Sequence, residues 1–163
     1  MAIQRIRQLG NPVLRERSQE VEEASATLVG LRHTLHEFQR THGFGRGISA
    51  VQIGILERVI YIEFEGRELS LVNPVIVAAS EERFRLWDDC FSFPDLLVWL
   101  ERARRVTVKY RDETGVEREM EADGALAELV QHEMDHLDGV LAVDRAIGVD
   151  GLITRSEWKR RTG

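Results

Sequence analysis

Two histidines and a glutamate with the spacing His-Glu-x-x-His lie at His132, Glu133 and His136. Residues four apart share one face of a helix, so both imidazoles can bind a single metal ion. Glu133, one position further round the helix, can then reach a water molecule on that ion. These residue types at this spacing predict metal-assisted hydrolysis, and the structural alternative is an ordinary helix with two surface histidines.

A catalytic site of this kind needs a third protein ligand, which must come from elsewhere in the sequence. The metzincin pattern requires a histidine where this chain has Ala142, so that class is excluded. Glu157 lies downstream at a separation that suits the glutamate ligand of thermolysin-like enzymes. Cys90 is the only cysteine, cannot form an intramolecular disulfide, and can bind iron or zinc as a thiolate. We favour Cys90 and keep Glu157 as the alternative.

Three segments of the sequence resemble the signatures of the peptide deformylase family, in the same order. Residues 45–52 read GRGISAVQ, similar to the family's G-x-G-x-A-A-x-Q. Residues 88–92 read DDCFS, similar to E-G-C-L-S, and residues 132–136 read HEMDH, which matches H-E-x-D-H. The similarity continues through residues 6–15 and 138–141. It therefore covers most of the chain.

This resemblance implies a metallohydrolase that removes the N-formyl group from formyl-methionyl peptides and releases formate. The implied ligands of one divalent ion are Cys90, His132 and His136. By resemblance the ion is Fe²⁺ in the cell, with Zn²⁺ or Ni²⁺ able to occupy the site, because these donor types do not select one metal. The implied partner is an N-formylated peptide or nascent chain.

The resemblance also implies roles for the residues around the ion. Glu133 would accept the proton of the attacking water and pass it to the departing amine. Gln52 and the backbone N–H of Phe91 would donate hydrogen bonds to the formyl oxygen, where charge develops in the transition state. Gly47 would contact the backbone of the substrate.

Two charged residues depart from the apolar pocket that the family uses for the methionine side chain. Arg46 stands where that family usually has an apolar residue, and Glu128 lies one turn before His132 on the same helix. We predict that Arg46 and Glu128 pair across the pocket mouth, which would make both of them substrate-binding residues. The alternative is that both face solvent.

The segment before the cysteine also departs from the family pattern. Asp88-Asp89 replaces Glu-Gly, and Asp88 could still pair with Arg102. Asp89 would be strained if its backbone had positive φ. These departures motivate two further hypotheses: a diverged deformylase for another N-formylated or N-acylated substrate, and a catalytically weak peptide-binding homologue. The intact metal-binding triad and Glu133 argue against a pure binding protein.

Composition is consistent with one globular domain over residues 1–163, because 163 residues with 43% hydrophobic content can bury a core. The net charge of −6 argues against a broad DNA-binding surface. Residues 1–7 contain no continuous apolar segment, so neither a secretory signal nor a membrane span is predicted. One cysteine used as a ligand suits a reducing compartment, and we predict a cytoplasmic protein. A weak contact of the basic segment Lys159-Arg160-Arg161 with the ribosome is a further partner hypothesis.

The pattern of apolar residues predicts an α+β fold in which antiparallel strands pack around a central helix that carries the metal motif. Asp123 is the candidate N-cap of that helix, whose apolar positions include Leu126, Leu129 and Leu137. The other predicted elements are a helix over residues 25–41 that ends before Gly43, paired strands over 59–64 and 69–72, and a hairpin of 106–111 with 116–120.

Overall fold

The computed structural model describes residues 4–163, so the prediction for residues 1–7 lies partly outside the described residues. Within this range the chain forms eight strands and three α-helices. The strands are β1 (Gly47–Ser49), β2 (Val59–Phe64), β3 (Arg67–Ala79), β4 (Arg83–Asp88), β5 (Leu96–Ala103), β6 (Arg105–Arg111), β7 (Glu117–Asp123) and β8 (Leu152–Thr154). The helices are α1 (Ser25–His42), α2 (Ala125–Leu137) and α3 (Arg155–Thr162).

Antiparallel pairing arranges the strands in two sheets. Five strands follow the order β1-β2-β3-β6-β7, and three follow the order β4-β5-β8. The β2–β3 turn is short because Glu65 and Gly66 both adopt positive φ, as a tight hairpin turn requires. The β6–β7 hairpin pairs Arg111 with Glu117, as the alternating pattern predicts.

Helix α2 lies inside the fold, since ten of its 13 residues are buried. Its apolar side packs on β2, β3, β6 and β7 through Leu126, Leu129, Val130 and Leu137. Removing this apolar surface from water stabilises the position of the helix relative to the large sheet. The predicted fold of antiparallel strands around this helix is confirmed.

Helix α1 covers a second core beside β1 and β2. Leu28, Leu31, Leu35 and Phe38 are buried at spacings of three and four, which is the predicted apolar stripe. The helix ends at Gly43, whose left-handed backbone lets its N–H donate to the carbonyl of Gln39 at 2.8 Å.

The predicted N-cap of α2 is wrong. Asp123 is the last residue of β7, and its carboxylate accepts a hydrogen bond from Arg104 at 3.1 Å. Gly124 begins the helix instead, with φ of 58°, and its carbonyl accepts the N–H of Glu128 at 3.0 Å. The sharp turn from strand to helix requires glycine at this position, because L-residues rarely adopt that conformation.

Candidate active site

The three predicted metal ligands converge on one point in the buried interior. Atoms of Cys90, His132 and His136 that could bind an ion all lie within 4.8 Å of one another. His132 and His136 are one turn apart on α2, and Cys90 Sγ lies 3.3 Å from His136 Nε2. One thiolate and two imidazoles are a donor set that fits Fe²⁺ or Zn²⁺.

Glu157 does not take part in this cluster. It lies on α3, where its carboxylate accepts hydrogen bonds from the guanidinium of Arg160 at 2.9 and 3.1 Å. The thermolysin-like alternative is therefore not supported by the geometry.

A buried carboxylate orients the first histidine. Asp88, the last residue of β4, lies with its Oδ2 2.7 Å from Nδ1 of His132. Arg102 lies 3.5 Å from the same oxygen, so the predicted pairing of Asp88 with Arg102 is confirmed. Burial alone would raise the pKa of Asp88, but the charge and hydrogen bond of His132 and the charge of Arg102 lower it below its ordinary value.

The contact between Asp88 and His132 was not predicted. Metal-binding histidines commonly donate their second ring N–H to a carboxylate, which fixes the ring orientation and leaves the other nitrogen for the metal. That general rule, together with the position of Asp88 two residues before Cys90, was the available signal.

Glu133 points into the site with one oxygen that has no hydrogen-bond partner among the described residues. Burial raises the pKa of Glu133 to about 7; the charge of His132 opposes this effect and that of Asp88 adds to it. A buried polar atom without a partner is costly, so an unpaired carboxylate oxygen beside the ligand cluster fits a site that binds an ion and water.

Gln52 is held so that its amide nitrogen faces the cysteine. Gln52 lies in the 3-10 turn Ala50–Ile53, and its Oε1 accepts the backbone N–H of Ser49, the residue before that turn, at 2.9 Å. Its Nε2 lies 3.6 Å from Cys90 Sγ and 3.2 Å from Ser92 Oγ. The donor end of Gln52 is therefore aimed at the ligand cluster.

The ring of Phe91 packs away from the cluster, against α1. It stacks on Phe38 with ring centroids 3.8 Å apart and an angle of 9° between planes. The side chain is thus accommodated in the core, and Phe91 is also one of the residues that line the cavity.

Beside the cluster is a cavity of about 250 Å³. Gly47 lines it, and a Cβ atom there would lie 3.2–3.3 Å from Leu129, Glu133 and Ile62, so glycine keeps β1 close to α2. Seven of the nine predicted site residues line the cavity, and His136 and Glu128 do not. Its lining is Phe44, Gly45, Arg46, Gly47, Gln52, Asp88, Asp89, Cys90, Phe91, Leu129, His132 and Glu133.

Arg46 and Glu128 form the predicted ion pair, and the alternative that both face solvent is wrong. Arg46 Nη2 lies 2.5 Å from Glu128 Oε1. The side chain of Glu128 is only 5% exposed, whereas that of Arg46 is 41% exposed. Burial raises the pKa of Glu128, although the charge of Arg46 opposes this effect. The second oxygen of Glu128 has no hydrogen-bond partner among residues 4–163.

Asp89 is not strained in the way the sequence suggested. Among the described residues, positive φ outside glycine occurs at Glu65 and Asn73 only. The carboxylate of Asp89 accepts a hydrogen bond from Nη2 of Arg155 at 2.7 Å. The role of Arg155 was not predicted, because Arg155 lies 66 positions away from Asp89 and belongs to no motif.

Comparison with known proteins gives a consistent result. The family model for polypeptide deformylase matches residues 3–150. A peptide deformylase of Bartonella tribocorum is 37% identical over 160 residues, covering 94% of this chain and 89% of that protein. One from Treponema pallidum is 39% identical over 137 residues, covering 84% of each. The chain belongs to the polypeptide deformylase family.

Solved structures agree with this assignment to the polypeptide deformylase family. The crystal structure of peptide deformylase from Thermotoga maritima has a TM-score of 0.82 at 34% identity and covers 91% of this chain and 100% of that one. The enzyme from Synechococcus elongatus, in complex with actinonin, has a TM-score of 0.80 at 35% identity and covers 88% of this chain and 79% of that one.

Family membership confirms the enzymatic class predicted from the three motifs. A peptide deformylase is a metalloenzyme that hydrolyses the amide bond of an N-formyl group. Within residues 4–163, no helix is both long and apolar enough to cross a membrane.

Proposed function

We propose that this deformylase acts on formyl-methionyl peptides and that Cys90, His132 and His136 hold its single divalent ion. The observation that carries the proposal is the convergence of these three donors, within 4.8 Å of one another, beside the unpaired oxygen of Glu133. Fe²⁺ is the proposed ion in the cell, and Zn²⁺ or Ni²⁺ can replace it. When bound, such an ion polarises the formyl carbonyl and lowers the pKa of a water molecule.

Different residues of the chain are proposed to carry out proton transfer and to stabilise the developing charge during amide hydrolysis. Glu133 accepts the proton of the attacking water and delivers it to the departing amine, which leaves as a free peptide N-terminus. Gln52 Nε2 and the backbone N–H of Phe91 donate to the formyl oxygen as negative charge develops on it. The fixed Oε1 of Gln52 supports this role, because the amide is oriented before substrate binds.

Gly47 is proposed to bind the backbone of the substrate. Among residues 4–163, strand β1 pairs with β2 alone and so lies at the edge of the five-stranded sheet. An extended peptide can pair with such an edge through main-chain hydrogen bonds. Gly47 also lines the cavity that contains Cys90 and Glu133, so a peptide on this edge would present its first residue to the ligand cluster.

Arg46 and Glu128 are proposed to form one wall of the pocket for the first side chain. Their pairing neutralises both charges, and the methylene groups of Arg46 can supply an apolar surface to methionine. This favours the default substrate over a diverged substrate with an acidic group, because the Arg46 guanidinium already has a carboxylate partner.

Release of formate from formyl-Met-Ala is the experiment that tests this function. We expect turnover by the metal-loaded chain and none with acetyl-Met-Ala as the matched control. Formate release from other formylated compounds but not from formyl-Met-Ala would favour the diverged-deformylase alternative. Binding of the peptide without any formate release would favour a binding homologue.

We further propose that residues 1–163 act as one domain in the cytoplasm, where a reduced Cys90 is maintained. Contact with the ribosome is proposed for α3, because Lys159, Arg160 and Arg161 cluster at its exposed end. Sedimentation of the chain with ribosomes at low and moderate salt tests this contact, and we expect it to weaken as salt rises.

A further inference from the structure

The turn of residues 89–95 carries Cys90 and Phe91, and it contains neither strand nor helix. Arg155 spans this turn from one end to the other. Its Nη2 donates to the carboxylate of Asp89 at 2.7 Å, and its Nε donates to the carbonyl of Pro94 at 2.7 Å. Its backbone N–H donates to the carbonyl of Asp95 at 2.7 Å. One residue therefore fixes the separation of both ends of the turn.

The same guanidinium lies over an aromatic ring at the cavity. Its Cζ is 4.1 Å from the centroid of Phe44. Phe44 and Asp89 both line the cavity, from different segments of the chain. Arg155 thus joins the glycine-rich segment to the segment that carries the cysteine. Its planar, delocalised charge suits this combination of stacking and two directed hydrogen bonds.

The position of Arg155 is itself fixed by regular structure. Strand β8 pairs with β5 in a register that places Thr154 opposite Leu96, next to the turn. Thr154 then caps α3 by accepting the N–H of Glu157 at 3.2 Å. Arg155 follows directly as the first residue of α3, so the fold determines where its side chain starts.

An exposed ion pair would contribute little, typically about 0–1 kcal/mol. This one is different, because the side chain of Arg155 is only 17% exposed and that of Asp89 only 31%. It also combines the ion pair with a carbonyl contact and ring stacking. Three contacts from one side chain constrain the turn more strongly than a single solvated pair could.

We propose that Arg155 is a positioning residue for deformylation, which acts by clamping the 89–95 turn and so holding the Phe91 N–H at the formyl oxygen. The inference rests on the proposed function, in which that N–H stabilises developing charge. A donor that works mainly in the transition state affects kcat more than KM. Loss of Arg155 should therefore lower kcat, while the ligands on α2 remain in place.

The test compares Arg155→Ala and Arg155→Lys with Arg104→Ala as a matched control. Arg104 makes the same kinds of contact away from the cavity, with an ion pair to Asp123 at 3.1 Å and its Cζ 5.5 Å from the ring centroid of Phe84. Steady-state kinetics on formyl-Met-Ala should show kcat lowered about tenfold in Arg155→Ala, with KM within about twofold, since small displacements of a reacting group are costly. The kcat of Arg155→Lys should be about threefold higher than that of Arg155→Ala, because lysine keeps a positive charge near Asp89.

The clamp is wrong if Arg155→Ala keeps the parent kcat, if only KM changes, or if Arg104→Ala lowers kcat equally. If Arg155→Ala does not fold, the same kinetic measurement can be made on Arg155→Lys and Asp89→Asn. Each of these variants weakens the contact between residues 155 and 89 without removing both side chains. Hydrogen exchange gives a readout independent of activity. Residues 89–95 should exchange faster in Arg155→Ala and not in Arg104→Ala. A parent chain without deformylase activity would overturn the proposed function, whereas unchanged exchange would overturn the clamp.

Discussion

The two halves of the proposed metal site are held in place by different means. His132, Glu133 and His136 lie within a single turn and a half of α2, a helix whose apolar side is buried against the large sheet. Cys90 lies in a turn without regular structure, and its neighbours are tied to distant segments. Leu9 donates its N–H to the carbonyl of Ser92 at 2.8 Å, for example. Regular backbone geometry orients the first half, and long-range contacts orient the second.

This difference determines what the spacing of residues can reveal. On a helix, a separation of four positions also fixes the distance between two side chains and the direction in which they point. In a turn, the separation from other motifs carries no such information, because each contact depends on where remote segments of the chain come to lie. Substitutions can therefore test the two halves of the site separately.

Removal of any proposed ligand should have the largest effect. We expect Cys90→Ala, His132→Ala and His136→Ala each to abolish deformylation and to lower the bound metal far below one ion per chain, because three protein ligands are the minimum for such a site. Glu157→Ala is the control and should keep both metal and activity, since Glu157 pairs with Arg160 on α3. Elemental analysis and formate release measure the outcome. Retention of metal by Cys90→Ala would show that Cys90 is not a ligand.

Glu133→Gln tests the helix half without touching a ligand. The amide has nearly the same shape but cannot accept a proton, so we expect metal content near that of the parent and a fall in kcat of about 10²–10⁴-fold. Both quantities should be measured on the same preparation. Parental turnover in this variant would contradict the role of Glu133 as general base.

How much of the site follows from sequence can be seen at particular residues. The pairing of Arg46 with Glu128 was predicted from two unusual charges near one pocket, and the structure confirms it. The prediction that Asp123 is the N-cap of α2 was wrong, because Gly124 makes the sharp turn that begins the helix. The first prediction needed only compatible charges near each other. The second needed backbone angles, which the residue types alone do not specify.

Contacts with no local pattern could not be predicted from one sequence. Arg155 reaches Asp89 across 66 positions, and it does so only because β8 pairs with β5 beside the turn. Many arginines in this chain could have filled that role on charge alone. The fold, once formed, selects one of them, and this is why the turn half of the site was the less predictable half.

Asp88→Asn tests a contact that joins the two halves. Asp88 ends β4, and its carboxylate orients His132 on α2. Loss of such a partner typically lowers metal affinity or activity about 10–100-fold, so we expect a decrease in that range. Asp123→Asn is the control, because Asp123 is exposed and pairs with Arg104 away from the cavity. Metal titration and kinetics together measure the effect. Equal behaviour of the two variants would show that the orienting contact is unimportant.

The smallest effect on activity is expected at the Arg46–Glu128 pair, where the two single variants should differ in stability. The pairing alone implies that Glu128→Ala is worse than the double variant, because it leaves an arginine without a partner. Arg46 is partly in solvent, however, whereas Glu128 is buried. We therefore expect Arg46→Leu to destabilise the fold more, by about 1–3 kcal/mol, because it leaves a buried carboxylate unpaired. The double variant Arg46→Leu, Glu128→Leu should recover most of this loss.

The pH dependence of this stability loss provides the sharpest check. Burial raises the folded-state pKa of Glu128 above its ordinary value of 4.5, while Arg46 and His132 oppose the shift and Asp88 adds to it. A carboxyl with a raised folded-state pKa stabilises the fold below its unfolded pKa, and this contribution is lost as pH rises through the folded-state value. In Arg46→Leu the pKa of Glu128 should rise further, because the opposing charge of Arg46 is lost. The free energy of unfolding of Arg46→Leu should thus fall increasingly below that of the parent as pH rises from 4.5 towards neutrality, and the double variant should not show this trend. Denaturant unfolding across that range measures it, and a pH-independent difference would mean that Glu128 is not the buried charge that Arg46 neutralises.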